Sequence, residues 1–387
     1  MKKIGIMTFH ASHNCGSFLQ SFALQQFLIK NNFDAEIIDY SNDGQQQLYQ
    51  VVFKNTSIKN ILRNIILIPR RRILKNTYQN YEKFITTNLK LSKVKFSNYK
   101  ELENYNFKYD IVICGSDQIW NVTIEDFDKS YLLPFISKKK KIAYAPSFGA
   151  KKMSNYLTTE KLEEYINYLK DFSLITVREE NGKKWLKEML NKEVPVVLDP
   201  TLLLEREDYK KIEKLYDKEI SGKYIFYYSP SYNPQINKLV SKIAKKYKLK
   251  VVAWNPRSYY LKLMNFSNFY LPKEENPGVY LSLIRDAELV ITTSFHGTIF
   301  STIYQKKFWV IKNGEMYGDD DRVKTLINQV AISDRLIPFE YKDDFDYLAE
   351  VNYIQYKENI KKLKEFSKNI LLRGINNDNE TKNESII

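Results

Sequence analysis

Leu289-Val290-Ile291-Thr292-Thr293, Ser294-Phe295-His296-Gly297, Thr298-Ile299-Phe300-Ser301-Thr302-Ile303-Tyr304 and then Phe308-Trp309-Val310-Ile311 make up the stretch that decides the fold. Its first run is apolar and β-branched, as a buried strand of a parallel sheet requires. Small and hydroxyl residues follow, then a short helix of apolar period, then a second apolar strand. Strand, loop, helix, strand is the crossover unit of an α/β sheet. The loop lies at a strand's C-terminal end and a helix's N-terminus, where open α/β sheets bind ligands and where backbone N–H groups favour an anion. One of only three histidines, His296, stands there. It reads equally as a helix-entry residue with a satisfied ring or as an acid/base group.

Outward from this unit the same pattern recurs. Tyr224–Tyr228 and Lys250–Trp254 are predicted strands of the same half, and the charged stretch 205–223 reads as a junction. Before it, residues 3–9, 35–40, 109–114, 141–145, 174–177 and 194–198 are apolar strands, with a helix over 18–28 and another over 180–190. The expected organisation is a first α/β domain over 1–205, a second over 206–355, a C-terminal helix over 356–373 and a disordered tail over 374–387. Residues 45–100 break the alternation and read as a basic helical insertion. Within it, apolar residues of 61–68 flanked by Arg63, Arg70, Arg71 and Arg72 could rest on anionic lipid. The preferred reading packs this helix on the domain with its arginines outward.

The chain has 387 residues, enough for two cores, and its 43% hydrophobic and 27% charged content is that of a globular protein. Cys15 and Cys114 show no pairing or CxxC spacing, which suits a reducing cytoplasm and excludes a zinc motif. The apolar run after Lys2-Lys3 is too short for a signal peptide, and no stretch reaches the roughly 20 apolar residues of a membrane span. A net charge of +14 suits anionic substrates or a membrane surface. No nucleic-acid motif accompanies it, so no such partner is expected. Gly318-Asp319-Asp320-Asp321 could hold a metal, but reads better as a helix cap with first-turn acids. No metal and no resident cofactor is expected.

Each half brings polar residues to its strand ends: His10, Asn14, Asp117 and Arg178 from the first, Ser294, His296 and Gly297 from the second. An arginine fork binds phosphate or carboxylate, and a histidine exchanges protons near neutral pH. Asp117 could equally cap a helix, and Arg178 could be a surface ion-pair partner.

Five segments together resemble the polysaccharide pyruvyl transferase family. They are Asn14-Cys15-Gly16-Ser17-Phe18-Leu19-Gln20, Gly115-Ser116-Asp117-Gln118-Ile119-Trp120-Asn121, Ile175-Thr176-Val177-Arg178-Glu179, Leu198-Asp199-Pro200-Thr201 and Ser294-Phe295-His296-Gly297-Thr298-Ile299-Phe300-Ser301. The resemblance implies two Rossmann-like doubly wound domains in a glycosyltransferase-B-like arrangement. It further implies transfer of the enolpyruvyl group of phosphoenolpyruvate to two hydroxyls of a sugar in a surface polysaccharide precursor, forming a pyruvate ketal. The acceptor would be a saccharide of a surface polymer, often carried on a lipid. The two cysteines and the basic charge, for their part, lead us to expect a cytoplasmic enzyme, peripheral at the inner face of the membrane. Arg178 would hold the donor anion, His296 would be the acid/base residue, Asp117 would assist, and His10 and Asn14 would line the cleft.

One position departs from the pattern: the family's Arg-x-His has Ser294 in place of the arginine. Arg257, Arg285 or Arg322 would then supply the second cation, or the donor differs. Two rival functions remain open on the sequence: a nucleotide-sugar-dependent glycosyltransferase of the same architecture, and a non-catalytic saccharide-binding protein of a polymer-assembly complex.

Overall fold

The computed structural model describes residues 1–150, 152–214, 220–230, 232–254, 269–312 and 321–377. A first sheet comprises β1 (Lys3–Met7), β2 (Asp34–Tyr40), β3 (Leu91–Phe96), β4 (Ile111–Cys114), β5 (Lys140–Ala143) and β6 (Leu174–Ile175). Its order is β3-β2-β1-β4-β5-β6 and every neighbouring pair is parallel. A second sheet comprises β7 (Tyr224–Tyr228), β8 (Lys250–Ala253), β9 (Leu289–Thr292), β10 (Phe308–Ile311) and β11 (Leu336–Ile337). It is also wholly parallel, in the order β11-β10-β9-β7-β8. The apolar runs of β4, β7, β9 and β10 are buried along their whole length, as strands covered on both faces must be.

The strand order reverses between β1 and β4 in one sheet and between β7 and β9 in the other. Those two switch points open a crevice beyond the strand ends. The loop after β4 carries Asp117, and the loop after β9 ends at Ser294, with His296 in the first turn of the helix that follows.

Helix Cys15–Lys30 follows β1 and is buried on nearly every side. Its apolar residues are not confined to one stripe, because it packs within its own half and also against helix Pro277–Asp286 and the turn Pro200–Leu202 of the following segments. Phe18, Leu19, Phe22, Leu24 and Leu28 thereby join one core cluster with Tyr209, Tyr280 and Phe300.

Three expectations need correction. The stretch 45–100 is not helical throughout: β3 is the edge strand of the first sheet. Its Ser92-Lys93-Val94-Lys95 centre hides the strand signal because an edge strand carries charge outward, leaving Phe96 as its buried end. Residues 194–198 form no strand beyond an isolated bridge of Val196 with Val177. The last helix runs Tyr353–Asn376, past 356–373 at both ends, and so takes in the start of the expected tail. Gly374 lies against Leu174, Ile375 is buried, and Ser367 Oγ accepts the Leu198 N–H. This final helix therefore docks back on the first sheet. Residues 378–387 and the Gly318–Asp320 segment lie outside the described residues, as does Arg257.

Candidate active site

The backbone of Val177 pairs with residues 195–197: Val177 N–H donates to the Pro195 carbonyl and Val197 N–H to that of Val177. Two short parallel segments thus end side by side, and each projects a charged residue just beyond its end, Arg178 from one and Asp199 from the other. Arg178 Nη1 donates to Asp199 Oδ2 at 2.7 Å. Both side chains are essentially without solvent contact.

Asp199 is the hub. Its Oδ1 accepts from the Thr201 N–H and hydroxyl at 3.0 and 2.6 Å, and its Oδ2 accepts from Ser116 Oγ at 3.2 Å. His296 brings Nε2 to 3.5 Å from the same Oδ2, across from the other half of the chain. Burial alone would raise the carboxyl's pKa, but the His296 and Arg178 charges and the hydrogen bonds hold it well below the usual carboxylate range.

Asp117 sits at φ 70°, in the left-handed region, which turns its carboxylate toward helix Cys15–Lys30. Ser17 Oγ donates to its Oδ2 at 2.5 Å, and Arg178 Nη2 stands 3.8 Å from its Oδ1. The guanidinium also lies over the Phe295 ring, 4.4 Å from the centroid. Arg178 is therefore fixed on three sides, yet among the described residues its Nε and Nη2 have no hydrogen-bond partner, and neither has His296 Nε2. Buried donors are nearly always satisfied in folded proteins, so two open guanidinium positions and an imidazole nitrogen mark a place for an anionic ligand.

Arg178, Asp117 and His296 are thus brought together. Ser294 is adjacent but occupied: its Oγ caps helix Phe295–Ile303 by accepting the Gly297 N–H at 3.3 Å. Gly297 packs against Thr292, where a Cβ would lie 2.4 Å from Oγ1. Asn14 likewise caps helix Cys15–Lys30. His10 does not join the cluster. Its Nε2 pairs with Asp39 Oδ1 at 3.1 Å, its Nδ1 lies 3.3 Å from the Thr8 carbonyl, and it faces a separate hollow beside Gln45 and Glu82. The turn after β1 carries it toward β2, away from β4.

Among the arginines that could replace the one missing at Ser294, Arg285 is committed to Glu213 and Asp286. Arg322 lies close enough to lower the pKa of Glu179, the neighbour of Arg178. Its helix, Asp321–Gln329, is tied across to the first half by Asp321 Oδ2, which accepts the Asn181 N–H at 2.9 Å. Glu179 is wholly buried, and burial pushes its carboxyl up to about 7 despite both arginines.

Asp199, Gly16, Ser17 and Phe295 also carry the geometry, although taken singly none of them points to the site in the sequence. The usable signal for Asp199 was its position: a carboxylate followed by Pro-Thr at a segment end caps itself and leaves its second oxygen free to receive cations.

A cavity of about 470 Å³ adjoins the cluster. Tyr49, Phe53, Tyr78, Tyr81, Tyr228 and Trp254 supply aromatic walls, with His13 and Arg63 as polar neighbours. The His13 ring stacks on Tyr81 at 4.6 Å, and its Nε2 lies 2.6 Å from Glu82 Oε1. Cys15 forms part of the wall, and the next residue, Gly16, touches His296. Burial raises the Cys15 thiol well above its ordinary pKa, so it is a packing group and not a nucleophile. Among the described residues, no three His, Cys, Asp or Glu side chains group as metal ligands would.

The fold has solved counterparts. S. aureus MnaA in its UDP co-structure is 12% identical with a TM-score of 0.50, over 96% of this chain and 91% of that one. UDP-GlcNAc 2-epimerase of Neisseria meningitidis, bound to UDP-GlcNAc, is 13% identical over 97% and 99% of the two chains, with a TM-score of 0.46. Acinetobacter baumannii MurG is 10% identical over 96% and 94%, with a TM-score of 0.39. MnaA shares the architecture, which is glycosyltransferase-B-like with two parallel-sheet α/β units. No curated protein matches the chain. The family model for polysaccharide pyruvyl transferase matches residues 14–315, from the cap of the first helix to beyond β10, and so takes in Asp117, Arg178, Asp199 and His296. By that match, spanning most of its length, this chain belongs to the polysaccharide pyruvyl transferase family.

Proposed function

We propose that this protein transfers the enolpyruvyl group of phosphoenolpyruvate to two hydroxyls of a saccharide, closing a pyruvate ketal and releasing phosphate. The observation that supports it most is the meeting of Arg178 and His296 at Asp199 with open hydrogen-bonding positions on both. Arg178 receives the donor's carboxylate or phosphate through Nε and Nη2, while Asp199 and Phe295 keep the fork from turning. His296 delivers a proton to the methylene carbon of phosphoenolpyruvate. The resulting oxocarbenium-like carbon is attacked by one sugar hydroxyl, whose proton returns to His296. The C–O bond to phosphate then breaks, phosphate leaving with that proton, and the second hydroxyl attacks and gives its own proton to His296, which closes the ketal and resets the residue. The N-terminal end of helix Phe295–Ile303 and Arg178 together favour the negative charge on the phosphate as it leaves.

The acceptor sugar occupies the aromatic hollow, whose ring faces suit the apolar faces of a pyranose and whose size fits one or two sugar units. On this reading the reaction belongs to the cytoplasm, where phosphoenolpyruvate is made, and the product is a precursor of a surface polysaccharide. The deciding assay offers phosphoenolpyruvate with a panel of hexosides and N-acetylhexosaminides and follows phosphate release. His296→Ala and Arg178→Ala are expected to abolish turnover in folded protein, and a wild-type chain that leaves phosphoenolpyruvate untouched across the panel refutes the donor. Ser294 in place of arginine favours one alternative, a nucleotide-sugar donor, so UDP-sugars belong in the same panel.

A further inference from the structure

Helix Ile58–Leu67 has its apolar stripe on the wrong side for a packed helix. Ile58, Ile61, Leu62 and Ile65 recur at the spacing of one helical face, yet they are 79%, 43%, 55% and 55% exposed. Ile68 and Ile73, in the turn and helix that follow, are 63% and 40% exposed, and only Leu67 of the first helix is buried. The expectation that this helix packs its apolar side on the domain therefore fails. It is held by polar ties instead. Ser57 caps it, and the Asn64 amide bonds both the N–H and the carbonyl of Phe53 at 2.9 Å.

Charge points the same way. From Gly44 to Tyr81 the chain contains no Asp or Glu, but seven Lys and Arg, half of the whole protein's +14. Lys54, Lys59, Arg71, Arg72 and Lys75 are exposed around the apolar stripe. A groove between Val51, Ile61, Ile65 and Ile68 continues the apolar surface.

We propose that this face docks on an anionic lipid bilayer, with the isoleucines entering the interface and the Lys and Arg rim meeting headgroup phosphates. The combination of apolar stripe and unopposed positive charge is what such a surface binds. A second copy of the chain fits poorly, because it would bring two such faces together, each with Lys54, Lys59, Arg71, Arg72 and Lys75 exposed. The face does not span: no described helix is long and apolar enough to cross a membrane. Docking does not rest on the proposed chemistry. It gains a purpose from it, since the same insertion supplies Tyr49, Tyr78 and Tyr81 to the hollow, and a sugar on a lipid carrier would arrive from the bilayer side.

The test is sedimentation of the whole chain with phosphatidylcholine vesicles containing or lacking phosphatidylglycerol. The wild type is expected to bind only the anionic vesicles, and less as salt rises. The triple variant Ile58→Ser, Ile61→Ser, Ile65→Ser should bind at least about tenfold more weakly. Arg71→Gln with Arg72→Gln should lose about fivefold per charge. All these positions are exposed, so the variants should stay folded and turn over a water-soluble acceptor normally. A wild type that stays in the supernatant at low salt overturns docking, as does a triple variant that still binds. A dimer that the triple variant dissociates also overturns it, assigning the face to self-association. Vesicle binding without turnover leaves docking standing and removes only the chemistry.

Discussion

Gly16 lies so close to His296 that a Cβ built on it would be 2.1 Å from Nδ1 and 2.7 Å from Cγ. The imidazole of one half is thus seated against the first turn of a helix belonging to the other. Gly16→Ala weighs two effects against each other. Alanine gains up to about 1 kcal/mol in helix propensity, whereas the methyl group must drive the ring from its place beside Asp199. Ring displacement wins for function: turnover should fall about a hundredfold or more, with the melting temperature little changed. A steady-state assay beside a thermal melt separates the two, and unchanged turnover would show that the ring's seat does not matter.

Asp199 receives Arg178 and His296 on one oxygen, so its neutralisation has a structural cost as well as a catalytic one. Asp199→Asn leaves Arg178 charged and buried beside a neutral amide. The expected loss of stability is about 3–5 kcal/mol, seen in denaturant unfolding. Arg178→Lys keeps the charge but loses the planar fork, and should raise the KM for phosphoenolpyruvate at least about tenfold while leaving the fold intact.

Trp254 and Tyr78 face the hollow assigned to the acceptor. Each replaced by alanine should raise the acceptor KM about two- to tenfold and leave the donor KM unchanged. Trp254 also gives a direct readout, because its fluorescence should respond to a saccharide added without donor. Equal effects on both substrates would move the acceptor elsewhere.

Glu179 gives the fold a dependence on pH. Its folded pKa, about 7, lies above the ordinary 4.5, so the folded chain holds this proton more tightly than the unfolded one. The stabilisation is complete below 4.5 and is lost as pH rises through about 7. Glu179→Gln keeps an oxygen for the Phe148 N–H, now 2.9 Å from Oε1, and removes the titration. Thermal melts of the variant should be flatter over that range, by up to about 3 kcal/mol. Asp199 runs the opposite way, contributing above its unfolded value and failing only in strong acid.

The parallel-sheet architecture was legible because strands buried on both faces must be apolar throughout, as Val112-Ile113 and Leu289-Val290-Ile291 are. β3 was not legible, because an edge strand alternates lysines with one or two anchors and resembles a helix or a loop. In the site, Arg178, Asp117 and His296 stood out as reactive types at strand ends. Asp199 did not, since its importance comes from what converges on it in space. His10 misled for the same reason: it stands at a strand's C-terminal end, but Asp39 of the adjacent β2 takes its ring. The outward stripe of Ile58–Leu67 escaped because periodicity reports that a helix has an apolar side without saying which way it faces.

The chain's last helix bears on how the molecule is made. Ser367, Leu371 and Ile375 complete the packing around residues made far earlier, including Lys2, whose ammonium donates to the Ile375 carbonyl at 3.2 Å. The first sheet therefore leaves the exit tunnel with an uncovered flank and waits for helix Tyr353–Asn376 to close it. A stop codon placed just before Tyr353, beyond every reactive group, should yield chains that depend on chaperones or are degraded.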